Sequence, residues 1–398
     1  MSDKEYRFSP AARLDEMFFS PIRVMLDKVR EAGERGVKVV PLVAGEPDFN
    51  TPQEIKDATA RALAANFTHY GSNRGQPKLR RAIARLLEKD TGIAYDPETE
   101  LLVTCGGAEA INNAILATVN PDDEIILFTP VFVSYENLLR MCGAKVVELP
   151  LRGENGFQPD MEEVRRSITT KTRMMILNSP NNPTGVVFTR ELLGDLARLA
   201  CEHNLLVFSD EIYSTLTYGG TQFCSIASFP GMRERTIMMN GFSKAYAMTG
   251  WRLGYIAAEK SILSAILKVH QYSTTCAPTF IQEGLAEAME NKGTLAAVGE
   301  MKETFAQRRA LLLRGLDSIP RLRYTRPDGA FYVFVDVSQT GLSGDAFAAR
   351  LFDEKQVATV PGSGFGKGCE SYVRLSFATG EQNITEGLKR IAEFTAAL

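Results

Sequence analysis

Six side chains in this chain are of types that could do chemistry together: Lys244, Asp210, Tyr213, Asn182, Arg252 and Arg374. Lys244 lies in Thr236-Ile-Met-Met-Asn-Gly-Phe-Ser-Lys-Ala-Tyr-Ala-Met-Thr-Gly-Trp-Arg252-Leu-Gly-Tyr-Ile-Ala257, between the apolar runs 236–239 and 253–257, with Ser243 beside it and glycines on both sides. Short apolar runs of this kind read as buried strands. A lysine among apolar neighbours loses hydration, which disfavours its charged form. The neutral amine is then a nucleophile toward a carbonyl.

The other groups follow similar runs. Run 205–208 leads into Ser209-Asp-Glu-Ile-Tyr213, which brings a carboxylate and a phenol. Run 174–177 leads into Asn178-Ser-Pro-Asn-Asn182-Pro-Thr-Gly185, which brings an amide. Run 125–128 is followed by Phe132, a flat ring. Run 101–103 leads into Thr104-Cys-Gly-Gly107-Ala108 and then a helix. Glycines between a strand and a helix N-terminus leave backbone N–H groups open to an anion. Farther on, Arg374 shares one face of the strand 372–377 with Tyr372 and Ser376. An arginine in a strand fit for burial needs an anionic partner.

The elements that position these groups are regular. Apolar runs at 101–103, 125–128, 145–149, 174–177, 205–208 and 237–239 alternate with helical stretches at 108–119, 134–142, 160–168 and 190–204. The runs lack internal polar alternation, so a mostly parallel sheet covered by helices on both faces is predicted. Ligands of such sheets bind beyond the carboxyl ends of the strands. Those ends supply an anion cradle, a ring, an amide, a carboxylate with a phenol, and an amine. Helices are also predicted over 22–35, 53–66 and 79–89, and an edge strand within 37–43, where Pro41 removes a ladder donor. A second region begins near 295 with a long amphipathic helix, strands at 332–337 and 372–377, and a last helix over 384–397. The fold class is therefore α/β: a large domain over 51–294, and a smaller α+β domain built from both chain ends, 1–50 and 295–398. The glycine-rich stretch 362–368 lacks P-loop spacing and reads as a mobile loop.

Composition narrows the function. The chain has 398 residues, 44 % hydrophobic and 23 % charged, with a net charge of −3. No basic field points to nucleic acid or an anionic membrane. The 6 cysteines are scattered, which signals neither a zinc site nor a disulfide framework and fits a reducing cytoplasm. The 3 histidines have no metal or triad spacing, and no metal is expected. Residues 1–10 are polar, so no secretory signal is read there.

One small molecule uses every group in the constellation: pyridoxal 5′-phosphate. Its aldehyde forms a Schiff base with a lysine, and its ring nitrogen acts as an electron sink when a carboxylate keeps it protonated. Its phosphate, at roughly −1.5 to −2 charge, calls for N–H groups, a hydroxyl and an arginine. The motifs Asn182-Pro-Thr-Gly185, Ser209-Asp-Glu-Ile-Tyr213 and Ser243-Lys244 with Arg252 resemble those of fold-type I pyridoxal-phosphate-dependent aminotransferases, class I, in the aspartate and aromatic amino-acid branch. The resemblance runs from about 43 to 394. It implies transfer of an amino group from an L-amino acid to a 2-oxo acid such as 2-oxoglutarate, in two half-reactions.

The resemblance also implies roles. Lys244 would carry the cofactor and move the proton. Asp210 would pair with the ring nitrogen, and Tyr213 and Asn182 with the phenolate oxygen. Phe132 would stack on the ring. Gly107, Ala108, Ser243 and Arg252 would hold the phosphate, joined by Tyr70 from the other subunit of a homodimer. Gly45, Asn182 and Arg374 would hold the substrate α-carboxylate. One departure is Gly241, where many relatives have a phosphate-binding serine. Phe18, Phe19 and Ile22 offer an apolar lid that would suit aromatic or other large side chains. The alternatives within this reading are a C–S β-lyase or synthase of the same fold. A transcription-regulator sensor domain would need a DNA-binding domain of roughly 70 residues or more ahead of Gly45.

Overall fold

The computed structural model describes residues 8–15 and 17–398. The reading of 1–10 therefore falls mostly outside the described residues. Thirteen strands occur among the described residues: β1 (Val40–Pro41), β2 (Leu101–Thr104), β3 (Glu124–Thr129), β4 (Lys145–Pro150), β5 (Thr172–Asn178), β6 (Leu206–Asp210), β7 (Thr236–Gly241), β8 (Gly254–Ala257), β9 (Arg323–Tyr324), β10 (Tyr332–Asp336), β11 (Val357–Ala358), β12 (Val360–Pro361) and β13 (Tyr372–Ser376). Seven form one sheet in the order β2-β8-β7-β6-β5-β3-β4. β3 to β7 run parallel, while β8 is antiparallel to both β7 and β2. β2 thus points the same way as β3 to β7, and the carboxyl ends of all six lie along one edge.

The unbroken apolar runs have a packing reason. Ile125, Leu127, Met174 and Ile176 enter one buried cluster, and their strand neighbours Ile126, Phe128, Met175 and Leu177 enter another. Successive side chains point to opposite faces, so a strand covered on both sides needs apolar residues at every position. Helices Gly107–Thr118 and Lys260–Ser273 supply Ile111, Ile115, Leu263 and Ile266 to the first cluster. Helix Arg190–Glu202 supplies Leu192, Leu193, Leu196 and Leu199 to the second.

Near the C-terminus a four-stranded sheet has the order β12-β13-β10-β9. It packs with helices Lys292–Leu316 and Glu381–Ala396 through Phe305, Leu312, Val333, Val335, Ile391 and Phe394. β1 pairs in parallel with β11, which fastens the N-terminal segment to this region. Stretch 362–368 differs from the mobile loop predicted for it. Gly362–Phe365 is a 3-10 turn, and Phe365 is buried with its carbonyl accepting from Val131 N–H at 2.9 Å. Lys367 N–H donates to Glu148 at 2.8 Å. The glycines there serve close packing: a Cβ at Gly364 would lie 2.1 Å from Pro21, and one at Gly362 would lie 2.1 Å from the Cys369 carbonyl.

Candidate active site

Lys244 sits in the short helix Phe242–Ala245, directly after β7. Its Nζ donates to the Gly45 carbonyl at 2.6 Å and lies 6.0 Å from the centroid of the Phe331 ring. Desolvation lowers its pKa to about 8. Glu46 and Asp210 oppose that shift, and the positive charges of Arg374 and Arg252 reinforce it. Burial thus turns this lysine into an amine that is partly neutral near physiological pH.

Asp210 ends β6 and is buried. It accepts from the Ile212 N–H at 3.0 Å and from the Tyr135 hydroxyl. Burial raises its pKa to about 6, with both hydrogen bonds and the charge of Lys244 opposing the rise. Tyr135 was not singled out in the sequence. It lies one helical turn after Phe132, at the start of helix Ser134–Met141, and that i,i+3 spacing was the available signal. Its ring packs edge-on to Phe132 at 6.0 Å and to Phe208 at 6.2 Å. Glu211 is buried beside Asp210 and accepts from Ser209 at 3.0 Å and Ser225 at 2.6 Å. Burial raises its pKa to about 7, and those hydroxyls oppose the rise.

Arg374, on β13, is fully buried. Its Nη1 donates to Asn182 Oδ1 at 2.9 Å and its Nη2 to the Val43 carbonyl at 2.9 Å. Nε is buried without a partner, and no carboxylate pairs with this guanidinium among the described residues. The guanidinium lies over the Tyr332 ring at 4.3 Å. Tyr213 shares a hydrogen bond of 2.9 Å with the Tyr332 hydroxyl. Asn182 and Tyr213, expected to face a cofactor oxygen, thus bond in this structure to Arg374 and Tyr332. The contacts of Tyr332 with Arg374 and Tyr213 are not visible in the sequence, because strand patterning alone accounts for the residue.

Gly106, Gly107 and Arg252 converge at the start of helix Gly107–Thr118. Gly106 has φ +79°, and a Cβ there would lie 2.7 Å from Arg252 Nη2. The positive φ requires glycine, and the close approach shows how tightly Arg252 covers this turn. Arg252 Nη1 donates to the Thr249 carbonyl at 2.9 Å. Ala108 is exposed in the first helical turn, where backbone N–H groups lack helical acceptors. Ser243 is buried nearby in sequence to Lys244, and Phe132 is half-buried. The departure at Gly241 has a steric reason. Its backbone is extended, but a Cβ would come within 3.1 Å of Gly254 Cα and 3.2 Å of the Leu253 carbonyl. A side chain there would sit tightly between β7 and β8 and would need its neighbours to shift by a few tenths of an ångström.

Tyr70 is 87 % exposed, and its hydroxyl has no hydrogen-bond partner among the described residues. Thr279 Oγ1 fixes its loop by donating to the Phe67 carbonyl at 2.7 Å and the His69 carbonyl at 3.1 Å. Of the N-terminal apolar residues, Phe19 is 93 % exposed, whereas Ile22 packs against the core. Phe18 N–H donates to Asn137 at 3.1 Å, which places this segment beside the helix that follows Phe132.

These residues fit pyridoxal phosphate on observations made in this structure. The orphaned Arg374 Nε is a donor awaiting an anion. The Gly106 turn is a cradle that any Cβ would fill. A buried carboxylate and a desolvated amine complete the donor set. Comparison with known proteins agrees. Residues 37–391 match the family described as aminotransferase class I and II, and the chain belongs to that family. It is 42 % identical to an aspartate aminotransferase of Pyrococcus abyssi, covering 95 % of this chain and 96 % of that one. It is 40 % identical to an aromatic-amino-acid aminotransferase of Thermococcus litoralis, with the same coverage of 95 % and 96 %. A solved structure of the aspartate aminotransferase from Thermus thermophilus with maleate superposes with a TM-score of 0.93 at 41 % identity, covering 97 % of this chain and 100 % of that one. The chain is therefore a pyridoxal-phosphate-dependent aminotransferase acting on amino acids and 2-oxo acids. Among the described residues, no helix is long and apolar enough to cross a membrane.

Proposed function

We propose that this enzyme moves the amino group of aspartate or an aromatic amino acid to 2-oxoglutarate. The observation that carries the reading is the buried Arg374, whose Nε lacks a partner, facing the same site as a lysine of lowered pKa. When bound, pyridoxal phosphate supplies an exchangeable carbonyl and an electron sink for the pair released from the substrate Cα–H bond. The chain's residues do the rest. Arg374 takes the α-carboxylate through N–H donors, helped by Asn182 and the Gly45 backbone, which fixes the Cα–H bond for reaction. Lys244 takes the Cα proton and returns it. Asp210, held by Tyr135, would keep the ring nitrogen protonated. Tyr213 and Asn182 would hydrogen-bond the ring oxygen, and Phe132 would stack on the ring. Gly107, Ala108, Ser243 and Arg252 would hold the phosphate.

The assembly is a homodimer in which Tyr70 serves the partner's phosphate site. Its exposure and lack of an internal partner support this. The division into 51–294 and a smaller domain of 1–50 with 295–398 is supported by the pairing of β1 with β11. The enzyme works in the cytoplasm. The test is a panel of aspartate, tyrosine, phenylalanine and alanine against 2-oxoglutarate, scored for glutamate. Glutamate from aspartate or the aromatic donors is the expected result. Release of pyruvate and ammonia from cysteine-like substrates without glutamate would overturn the reading.

A further inference from the structure

Tyr332 occupies a position that the roles above leave unused. β10 and β13 pair with Tyr332 opposite Ser376 and Phe334 opposite Arg374. Tyr332 and Arg374 are therefore diagonal neighbours on one face of an antiparallel pair, within reach of long side chains. The guanidinium carbon of Arg374 stands 4.3 Å from the centre of the Tyr332 ring, with the Phe365 ring farther off at 5.4 Å. No carboxylate among the described residues balances this buried cation. Two oxygens and a π face hold it instead. A planar guanidinium stacked on an aromatic ring has one orientation in which its edge is presented outward.

The other end of the same side chain meets the cofactor-facing part of the site. The Tyr332 hydroxyl shares its 2.9 Å hydrogen bond with Tyr213, and the two rings pack edge-on at 5.8 Å. It also lies 3.7 Å from where a Cβ of Gly45 would stand, and the Gly45 carbonyl accepts from Lys244. Tyr332 is 1 % exposed, so its hydroxyl has no alternative partner in solvent.

We propose that Tyr332 is a positioning residue that aligns the carboxylate-binding and cofactor-facing ends of the site as one unit. Its ring sets the plane of Arg374, and its hydroxyl sets the hydroxyl of Tyr213. The proposal rests on the function given above for Arg374 and Tyr213. Its two halves separate by substitution: Tyr332→Phe keeps the stack and deletes the hydroxyl, whereas Tyr332→Leu deletes both.

The test uses holoenzyme and two probes that cannot react, maleate and 3-phenylpropionate, with binding read from the absorbance of the bound cofactor. Tyr332→Leu should raise the Kd of both probes about tenfold, as expected for loss of a desolvated cation–π contact. It should raise KM for every donor alike. Tyr332→Phe should change those constants less than about twofold but move the pH midpoint of the cofactor absorbance. In a double-mutant cycle with Tyr213→Phe, the double variant should match Tyr213→Phe alone, because one hydrogen bond joins the two groups. Thermal unfolding checks that each variant is folded, and Tyr332→Met replaces the leucine variant should that one fail. Unchanged probe binding in folded Tyr332→Leu or Tyr332→Met, or additive midpoint shifts in the cycle, would overturn the proposal. Wild-type protein that takes up no pyridoxal phosphate would instead overturn the proposed function.

Discussion

The amine of Lys244 should titrate far below an ordinary lysine, and the consequence can be worked through. Its pKa falls from 10.5 to about 8 because burial removes hydration from the ammonium. At pH 7 an ordinary lysine is neutral in roughly one molecule in three thousand, whereas a pKa of 8 gives about one in ten. The shift thus supplies on the order of 300-fold more nucleophile. Apoprotein should be mixed with pyridoxal phosphate from pH 6 to 10 and the covalent adduct trapped with borohydride. The capture rate should rise about tenfold per pH unit up to about 8 and then level. Stability must follow with a fixed sign. The folded state releases this proton at a lower pH than the unfolded state, so the unfolded state binds more protons between about 8 and 10.5. The energetic cost of the buried charge is full below pH 8 and fades as pH rises toward 10.5. Lys244→Met apoprotein should therefore be more stable than wild type at pH 7, by at most about 3 kcal/mol, at 1.36 kcal/mol per unit. A capture rate still rising at pH 10, with no stability gain in Lys244→Met, would refute the reasoning.

Asp210→Asn should lower kcat by several orders of magnitude. Because the folded pKa of about 6 lies above 3.8, the buried carboxylate costs stability as pH rises from about 4 to about 6. The Asn apoprotein should thus unfold at higher urea than wild type at pH 7 but not at pH 4. Tyr135→Phe removes a donor to that carboxylate, worth about 1.5–3 kcal/mol for a charged hydrogen bond. The acidic limb of cofactor binding should move up by about one to two pH units, and an unmoved limb would mean the hydroxyl does not govern Asp210. Arg374→Lys keeps the charge but loses the fork, so kcat/KM should fall for every donor to a similar extent; a loss confined to aspartate would make Arg374 a side-chain reader. Mixing Tyr70→Ala with Lys244→Ala chains should restore roughly a quarter of wild-type activity if half the dimers are mixed and each holds one intact site. No recovery in dimers proven to be mixed would place Tyr70 outside the partner's site.

The sequence alone determined the large sheet and the edge that carries the chemistry. Short apolar runs with no polar alternation, spaced between helical stretches, read as strands covered on both faces, and the residues that follow the parallel ones fall at one edge. Lys244, Asp210 and the Gly106-Gly107 turn were legible because their types conflict with their surroundings: a charge among apolar residues, or glycines where a strand meets a helix. What the tertiary structure decided lies in contacts that no local pattern encodes. Tyr135 reaches Asp210 across 75 positions, and Arg374 meets Asn182 across 192 and the Val43 carbonyl across 331. The packed turn at Gly362–Phe365 reads as a loop until Pro21 and Val131 close on it. The antiparallel course of β8 was hidden too, because a strand buried on both faces looks the same in either direction. Periodicity reports which face of an element is buried, and it carries no information about which distant side chain arrives to bury it.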